Sequence, residues 1–242
     1  RSRASLLFVP VVLALLLTAA GCGGSSKSSN AYGTTTTSGG AASITPPANI
    51  KSAGKLVFCS DITYPPEEFY EGTKPVGSDI EIGAEIARRM GVKAQFDNTG
   101  FDGIIPALLG KKCDLIISGM NDTPERRKQV AFVDYIKVGQ SFMVKKGNPE
   151  NITGVPSLAG KSASVEVGTT NKDYLDEQSK KLKAQGKKPI DVVTFPKDTD
   201  AFAALLAGRV DAYYADAPPA AYYAKQNPTK VEVCCHPINP FP

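Results

Sequence analysis

Apolar positions fall into two regimes along this chain. From Leu6 to Leu17 they run without a break for twelve residues. From about residue 50 onward they recur in short blocks separated by Gly, Pro and Asp. The later blocks predict alternating strands and helices. Lys55–Ser60 reads as a buried strand, followed by a loop rich in Pro and acid. Asp79 is placed to cap a helix whose apolar face is Ile82, Ile86 and Met90, stopped by Gly91. Val92–Phe96 is a second strand. Asp102 is placed to cap a helix running through Leu109, and Asp114–Ser118 forms a third strand. Thr123-Pro124 is an N-cap and first-turn pair opening another helix. The pattern then restarts with strands at 141–145 and 162–167 and a helix from Thr170. A strand at 191–195, a helix at 199–207, a strand at 210–214 and a helix from Pro218 complete it.

Such alternation predicts an α/β fold with mainly parallel strands. A short internal repeat suggests two related lobes. Ala107-Leu-Leu-Gly-Lys-Lys-Cys-Asp114 is similar to Ala204-Leu-Leu-Ala-Gly-Arg-Val-Asp211. Each reads as a helix end, a tight turn and a strand start. The repeat places Ser118-Gly119 and Ala215-Asp216 at the C-terminal ends of equivalent strands, where open α/β sheets bind ligands. Two lobes facing one another would enclose a cleft.

The early regime has a different meaning. Arg1-Ser-Arg3 ahead of the apolar run reads as a signal peptide over residues 1–21. Twelve apolar residues are too few to span a bilayer as a helix. Thr18-Ala-Ala-Gly21-Cys22 resembles a bacterial lipobox, with Ala19 at the position usually held by leucine, so Cys22 is expected to be acylated. Residues 22–49 form the predicted tether, nearly all Gly, Ser, Thr, Ala and Asn from 23 to 48. A flexible stretch of that length reaches roughly 28 Å. Residues 50–138 are expected to make lobe 1, 139–235 lobe 2, and 236–242 an irregular tail.

Composition narrows the function classes. The formal charge is +4, from 28 basic and 24 acidic residues among 242. No basic stripe interleaved with aromatics accompanies it, so nucleic-acid binding is not expected. The five cysteines, at 22, 59, 113, 234 and 235, lack metal-ligand spacing, and His236 is the one histidine. Neither a metal nor a cofactor is expected. Cys59 and Cys113 lie in apolar runs, where a free cysteine acts as a small hydrophobe. They are expected to be unbonded, because spacing alone establishes no disulfide.

The candidate chemistry is electrostatic. Arg126 sits in the opening turn of its helix, where a cation opposes the helix dipole. It reads either as a surface arginine paired with Glu125 or Asp122, or as a two-pronged clamp for a carboxylate. Val167-Gly-Thr-Thr170 is either a routine strand-to-helix turn or an anion site built on free N–H groups. Asp216, before Ala-Pro-Pro, is either an N-cap or the receiver of an ammonium group. Tyr64 and Phe101 are either core aromatics or the walls around a ligand side chain.

From about 55 to 235 the sequence resembles the amino-acid-binding proteins of bacterial ABC importers, solute-binding family 3. The resemblance rests on Asp61-Ile-Thr-Tyr-Pro-Pro66, Val76-Gly-Ser-Asp-Ile80, Phe101-Asp-Gly-Ile-Ile-Pro106 and Asp114-Leu-Ile-Ile-Ser-Gly-Met120. Thr123-Pro-Glu-Arg-Arg-Lys128 and Val167-Gly-Thr-Thr170 complete it. It implies a type II periplasmic-binding-protein-like clamp that closes over its ligand by hinge motion. Within it, Arg126 would bind an α-carboxylate with Thr170. Asp216 would bind the α-ammonium with Gly119 and Asn121. Tyr64 and Phe101 would cover the ligand side chain, and Asp61 and Ser118 would touch its head group.

Two departures stand out. Glu67 occupies a position that is apolar in the family and is expected to be solvated; turned inward beside Asp61, it would favour a basic ligand. The family also continues with a stretch that completes lobe 1, which Val233–Pro242 does not resemble, so a truncated or frameshifted chain is expected.

The reading is therefore a monomeric, non-catalytic binder of a free polar or basic amino acid. It would be held outside the cytoplasmic membrane, or in the periplasm, by a lipid on Cys22, and would deliver its ligand to an ABC permease. The alternatives are a carboxylate-processing dehydratase on the same fold, with Glu67 as acid, and an amino-acid sensory lipoprotein.

Overall fold

The computed structural model describes the backbone of residues 43–241 and side chains through Cys235. The predicted signal peptide, Cys22 and most of the tether lie outside the described residues. Residues 43–49, assigned to the tether, are instead docked on lobe 1. The backbone N–H groups of Ser43 and Ile44 donate to the Arg89 carbonyl at 2.8 and 3.0 Å. Helix ends leave such carbonyls without partners inside the helix, so they attract neighbouring chain. Helix α1 (Ala48–Ala53) follows and buries Ile50.

Lobe 1 is built on a parallel three-stranded sheet of order β4-β1-β5, with β1 at Lys55–Ser60, β4 at Lys93–Asn98 and β5 at Leu115–Ile116. The short hairpin β2 (Phe69–Glu71) and β3 (Lys74–Val76) follows β1. Both faces of the sheet are covered, so β1 reads as a continuous apolar run. On one face, α2 (Ser78–Arg89) packs Ala87 against Leu56, Phe58 and Phe96. On the other, α3 (Ile104–Leu109) packs Ile104 and Ala107 against Cys59 and Cys113.

Several local expectations need correction. Of the expected apolar face of α2, Ile86 and Met90 pack against the core but Ile82 is 36% exposed, and the buried positions are Asp79, Ile80, Gly83 and Ala87. Asp79 caps nothing: Gly77 is the N-cap, and the Asp79 carboxylate accepts from Gly119 N–H and Tyr135 O–H. A long-range donor outcompetes the local cap because the side chain is fully buried beneath the sheet end. Asp102 also caps no helix, because Gly100 and Gly103 precede the two short helical turns there. Cys59 and Cys113 are bonded to each other as a disulfide rather than free. They lie on β1 and just before β5, neighbouring strands that bring their side chains to one face.

Lobe 2 carries a five-stranded sheet of order β10-β6-β9-β7-β8. Its strands are β6 (Val138–Lys145), β7 (Ser162–Glu166), β8 (Asp191–Phe195), β9 (Ala212–Asp216) and β10 (Val231–Phe241). β7 pairs in parallel with β8 and β9, and β6 runs antiparallel to both β9 and β10. Four strands thus share one direction. Residues 236–241, expected to be an irregular tail, continue β10 along β6 as far as Val138. Successive side chains go to opposite faces. Phe142, Val144 and Tyr214 join Leu175 of α5 (Thr170–Ala184), while Met143 and Tyr213 join α6 (Asp198–Leu206) and α7 (Ala217–Gln226).

The internal repeat has a structural counterpart. The Asp114 carboxylate accepts the Val57 N–H at 2.8 Å, and the Asp211 carboxylate accepts the Ser162 N–H at 2.8 Å. In each lobe an aspartate ahead of one strand is tied to the start of the parallel neighbour. Beside β5, lobe 1 has an apolar groove of about 550 Å³, with Leu109, Val133, Tyr135 and Ile136 exposed at its walls.

The disulfide closes 54 residues. Its removal is expected to destabilise lobe 1 by about 4 kcal/mol in the loop-entropy account. A Cys59→Ala/Cys113→Ala variant should melt roughly 8–16 °C lower in a calorimetric scan.

Candidate functional site

The C-terminal strand ends of both sheets meet at one cleft, as expected for parallel α/β sheets. β1 delivers Asp61 and, four residues into the loop, Tyr64. The turn before α3 delivers Phe101. β5 leads to Ser118, Gly119 and Asn121, and α4 (Pro124–Arg127) carries Arg126. β7 ends in Glu166 and turns through Thr169 into α5 at Thr170. β9 ends in Asp216. All nine residues singled out in the sequence line this cleft, together with Glu166, Thr169 and Asn171.

Thr123 caps α4 through its hydroxyl, which accepts the Arg126 N–H at 3.2 Å. This sets the guanidinium over the Phe101 ring, 5.4 Å from its centroid, within cation–π range. The guanidinium donates to the Asn121 carbonyl at 2.6 Å and to the Gly168 carbonyl at 3.1 Å. Arg126 forms no ion pair among the described residues. The surface partner expected for it, Asp122, pairs with Arg127 instead. Burial pushes the Arg126 pKa down, opposed by the Asp173 and Asp216 charges.

Asp216 occupies the opposite wall. It is the N-cap residue of α7 by position, yet its side chain makes no capping bond. Tyr64, Asn171, Asn121 and Gln140 hydrogen-bond to it instead, and Asn171 Nδ2 donates at 3.4 Å. It forms no ion pair among the described residues, and burial raises its pKa to about 6. Thr170 completes the α5 end of the cleft. The true cap of α5 is Thr169, whose hydroxyl accepts the Lys172 N–H at 3.1 Å.

A second acidic centre lies towards Asp61. Its carboxylate accepts from the Thr63 hydroxyl at 2.7 Å and from the Phe101 N–H at 2.8 Å. Ser118 bridges here, accepting the Asp61 N–H and donating to Glu68. Glu166 comes within hydrogen-bonding reach of Asp61 from the other lobe. Burial raises the pKa of both, and for Glu166 the Asp198 charge adds to it. Sequence reasoning passed over Glu166. The available signal was an acid closing an otherwise apolar Ala-Ser-Val strand, at the end that faces a crevice.

Glu67 departs from its expected solvated state: it is 5% exposed, and burial pushes its pKa up to about 8. It faces the lobe 1 groove and not the cleft lining, so it does not stand beside Asp61. The Gly77 turn holds it there, since a Cβ on Gly77 would lie 2.1 Å from the Glu67 carbonyl oxygen.

The lobes touch directly across the cleft. Asn121 Nδ2 donates to Thr170 Oγ1 at 2.8 Å, and Arg126 reaches the Gly168 carbonyl. Gly168, at φ +79°, passes so near Asp102 that a Cβ would sit 2.8 Å from its Cα. The enclosed space is about 10 Å³, room for about one water, so a ligand enters only as the lobes part.

Residues 56–227 match the family model described as bacterial extracellular solute-binding proteins, family 3. The chain belongs to this family. It is 32% identical over 179 residues to the ABC transporter arginine-binding protein 1 of Escherichia coli (strain K12), covering 73% of this chain and 69% of the relative. Holo ArgBP from T. maritima superposes with a TM-score of 0.71 at 37% identity, over 81% of this chain and 83% of that one. The ancestral amino acid-binding protein AncCDT-1, a precursor of cyclohexadienyl dehydratase, gives 0.72 at 35% identity over 80% and 82%. The chain spans between 49% and 69% of the length of the curated relatives it matches.

These buried acids set the response of this family member to pH. Asp61, Glu166 and Asp216 in the cleft, and Glu67, Glu68 and Asp198 nearby, all have raised pKa values. In the unfolded chain they ionise near the ordinary 3.8 for Asp and 4.5 for Glu. Between those values and the folded ones, the folded state holds more protons, so stability falls as pH rises. The thermal midpoint of the free protein is expected to be higher at about pH 5 than at about pH 8. Differential scanning calorimetry across that range checks the sign.

Proposed function

We propose that this chain captures a free α-amino acid outside the cytoplasm and delivers it to an ABC import permease. One observation carries the reading. A guanidinium and a carboxylate, neither in a direct ion pair among the described residues, stand on opposite walls of the same buried cleft. A zwitterion supplies both missing charges at once: its α-carboxylate goes to Arg126 and Thr170, and its α-ammonium to Asp216, Gly119 and Asn121. Tyr64 and Phe101 flank the side chain, and Asp61 and Ser118 lie at its far end. The relatives' names support an amino-acid ligand and a transport role.

Closure by hinge motion completes the site, because each pole comes from a different lobe. Anchoring through a lipidated Cys22 would keep the monomer near its permease. The dehydratase alternative assigned its acid to Glu67, which lies outside the cleft lining. Turnover of prephenate or arogenate would restore that alternative.

Arg126→Ala and Asp216→Ala are each expected to weaken amino-acid binding at least about a hundredfold, since each leaves one buried charge of the ligand unpaired. Isothermal titration calorimetry measures it, and unchanged affinity in both variants rejects the assigned pocket. For the anchor, Cys22→Ser in the full precursor is expected to move the protein from the membrane fraction to the soluble fraction.

A further inference from the structure

Resting on the amino-acid reading above, we propose that the ligand's side chain ends in a cation and that Glu166 and Asp61 receive it by giving up a proton they share. The cleft is lined by three carboxylates, Asp61, Glu166 and Asp216, and by one cation, Arg126. A zwitterion accounts for Arg126 and Asp216. Two carboxylates from opposite lobes remain, within hydrogen-bonding reach of each other at the far end.

Glu166 is the less satisfied of the two. It is 4% exposed, and its Oε1 is buried with no hydrogen-bond donor. Asp61, by contrast, has the Thr63 hydroxyl on one oxygen and the Phe101 N–H on the other. A buried carboxylate oxygen without a donor is costly, and two carboxylates at this range do not both stay ionised. One proton between them relieves the repulsion, and a cationic head group relieves it more fully. A planar guanidinium offers paired donors to both acids at once.

The surroundings add acid rather than base. From α6, the Asp198 carboxylate opposes ionisation of Glu166, although its backbone N–H favours it. From α7, the Tyr223 hydroxyl donates to Asp198, as does Tyr213 from β9, and both carry no charge. Lys197 favours ionised Asp61. The charge balance is then simple. A cationic ligand enters, the shared proton leaves to solvent, and the pair becomes two carboxylates around one positive group. A ligand with a neutral side chain leaves the proton where it is.

The test is titration calorimetry of the full chain with L-arginine, L-lysine, L-citrulline and L-glutamine, each at about pH 7 in two buffers of different ionisation enthalpy. Citrulline matches arginine in shape but lacks its charge. At least tenfold tighter binding of arginine or lysine than of citrulline, with more protons released, is the expected result. In Glu166→Gln, checked for folding by circular dichroism, the cation-to-citrulline ratio should fall at least tenfold and the extra proton release should disappear. Citrulline or glutamine binding as tightly as the cations, or equal proton release for all four, overturns the inference while leaving the pocket intact. Failure of all four to bind, with another amino acid binding, overturns the inference; failure of all twenty amino acids to bind overturns the amino-acid reading itself.

Discussion

Charge held out of water organises this molecule. Arg126 and Asp216 face one cleft from different lobes, each desolvated and neither in a direct ion pair among the described residues. Burying an unmatched charge is expensive, and structures tolerate it where polar neighbours or a partner compensate. Here the compensation is partial: carbonyls of Asn121 and Gly168 for the guanidinium, and Tyr64, Asn171, Asn121 and Gln140 for the carboxylate. Neutral dipoles hold each charge in place without cancelling it, which leaves both poles available to a molecule that carries the complementary pair.

The scaffold that presents these charges is a duplicated device. In each lobe, an aspartate before one strand binds a backbone N–H near the start of the neighbouring parallel strand, through Asp114 to Val57 and Asp211 to Ser162. The strands are thereby registered at their N-terminal ends, and their C-terminal ends project loops into the cleft. Both faces of each sheet are packed, which holds the strand ends in place. Gly168 lets the two lobes come into contact, because no side chain stands between its Cα and the Asp102 backbone.

Much of this was legible in the sequence because parallel sheets write a strong pattern. Apolar blocks separated by Gly, Asp and Pro located most strands and helices to within a few residues, but not α1, the β2–β3 hairpin or β10. The repeat pointed to the strand ends, and all nine residues chosen from the residue pattern and the family resemblance line one cleft. What was not legible depended on long-range geometry. Asp79 looks like a helix cap, but the sheet end above it offers better donors in Gly119 and Tyr135. Cys59 and Cys113 are 54 residues apart, and their bonding is decided by strand neighbourhood. Glu67 and Glu68 are adjacent acids with no sequence signal of burial, yet both are enclosed once the hairpin folds over them.

By itself, then, the amino-acid sequence determined which segments become strand or helix and which charged residues stand at strand ends. Periodicity, caps and turn residues act over a few positions and need no knowledge of the rest of the chain. Tertiary structure alone decided which charges are stripped of water and which face each other. Desolvation and pairing depend on what a folded neighbour removes or brings, as when β7 carries Glu166 across to Asp61. No local rule contains that distance.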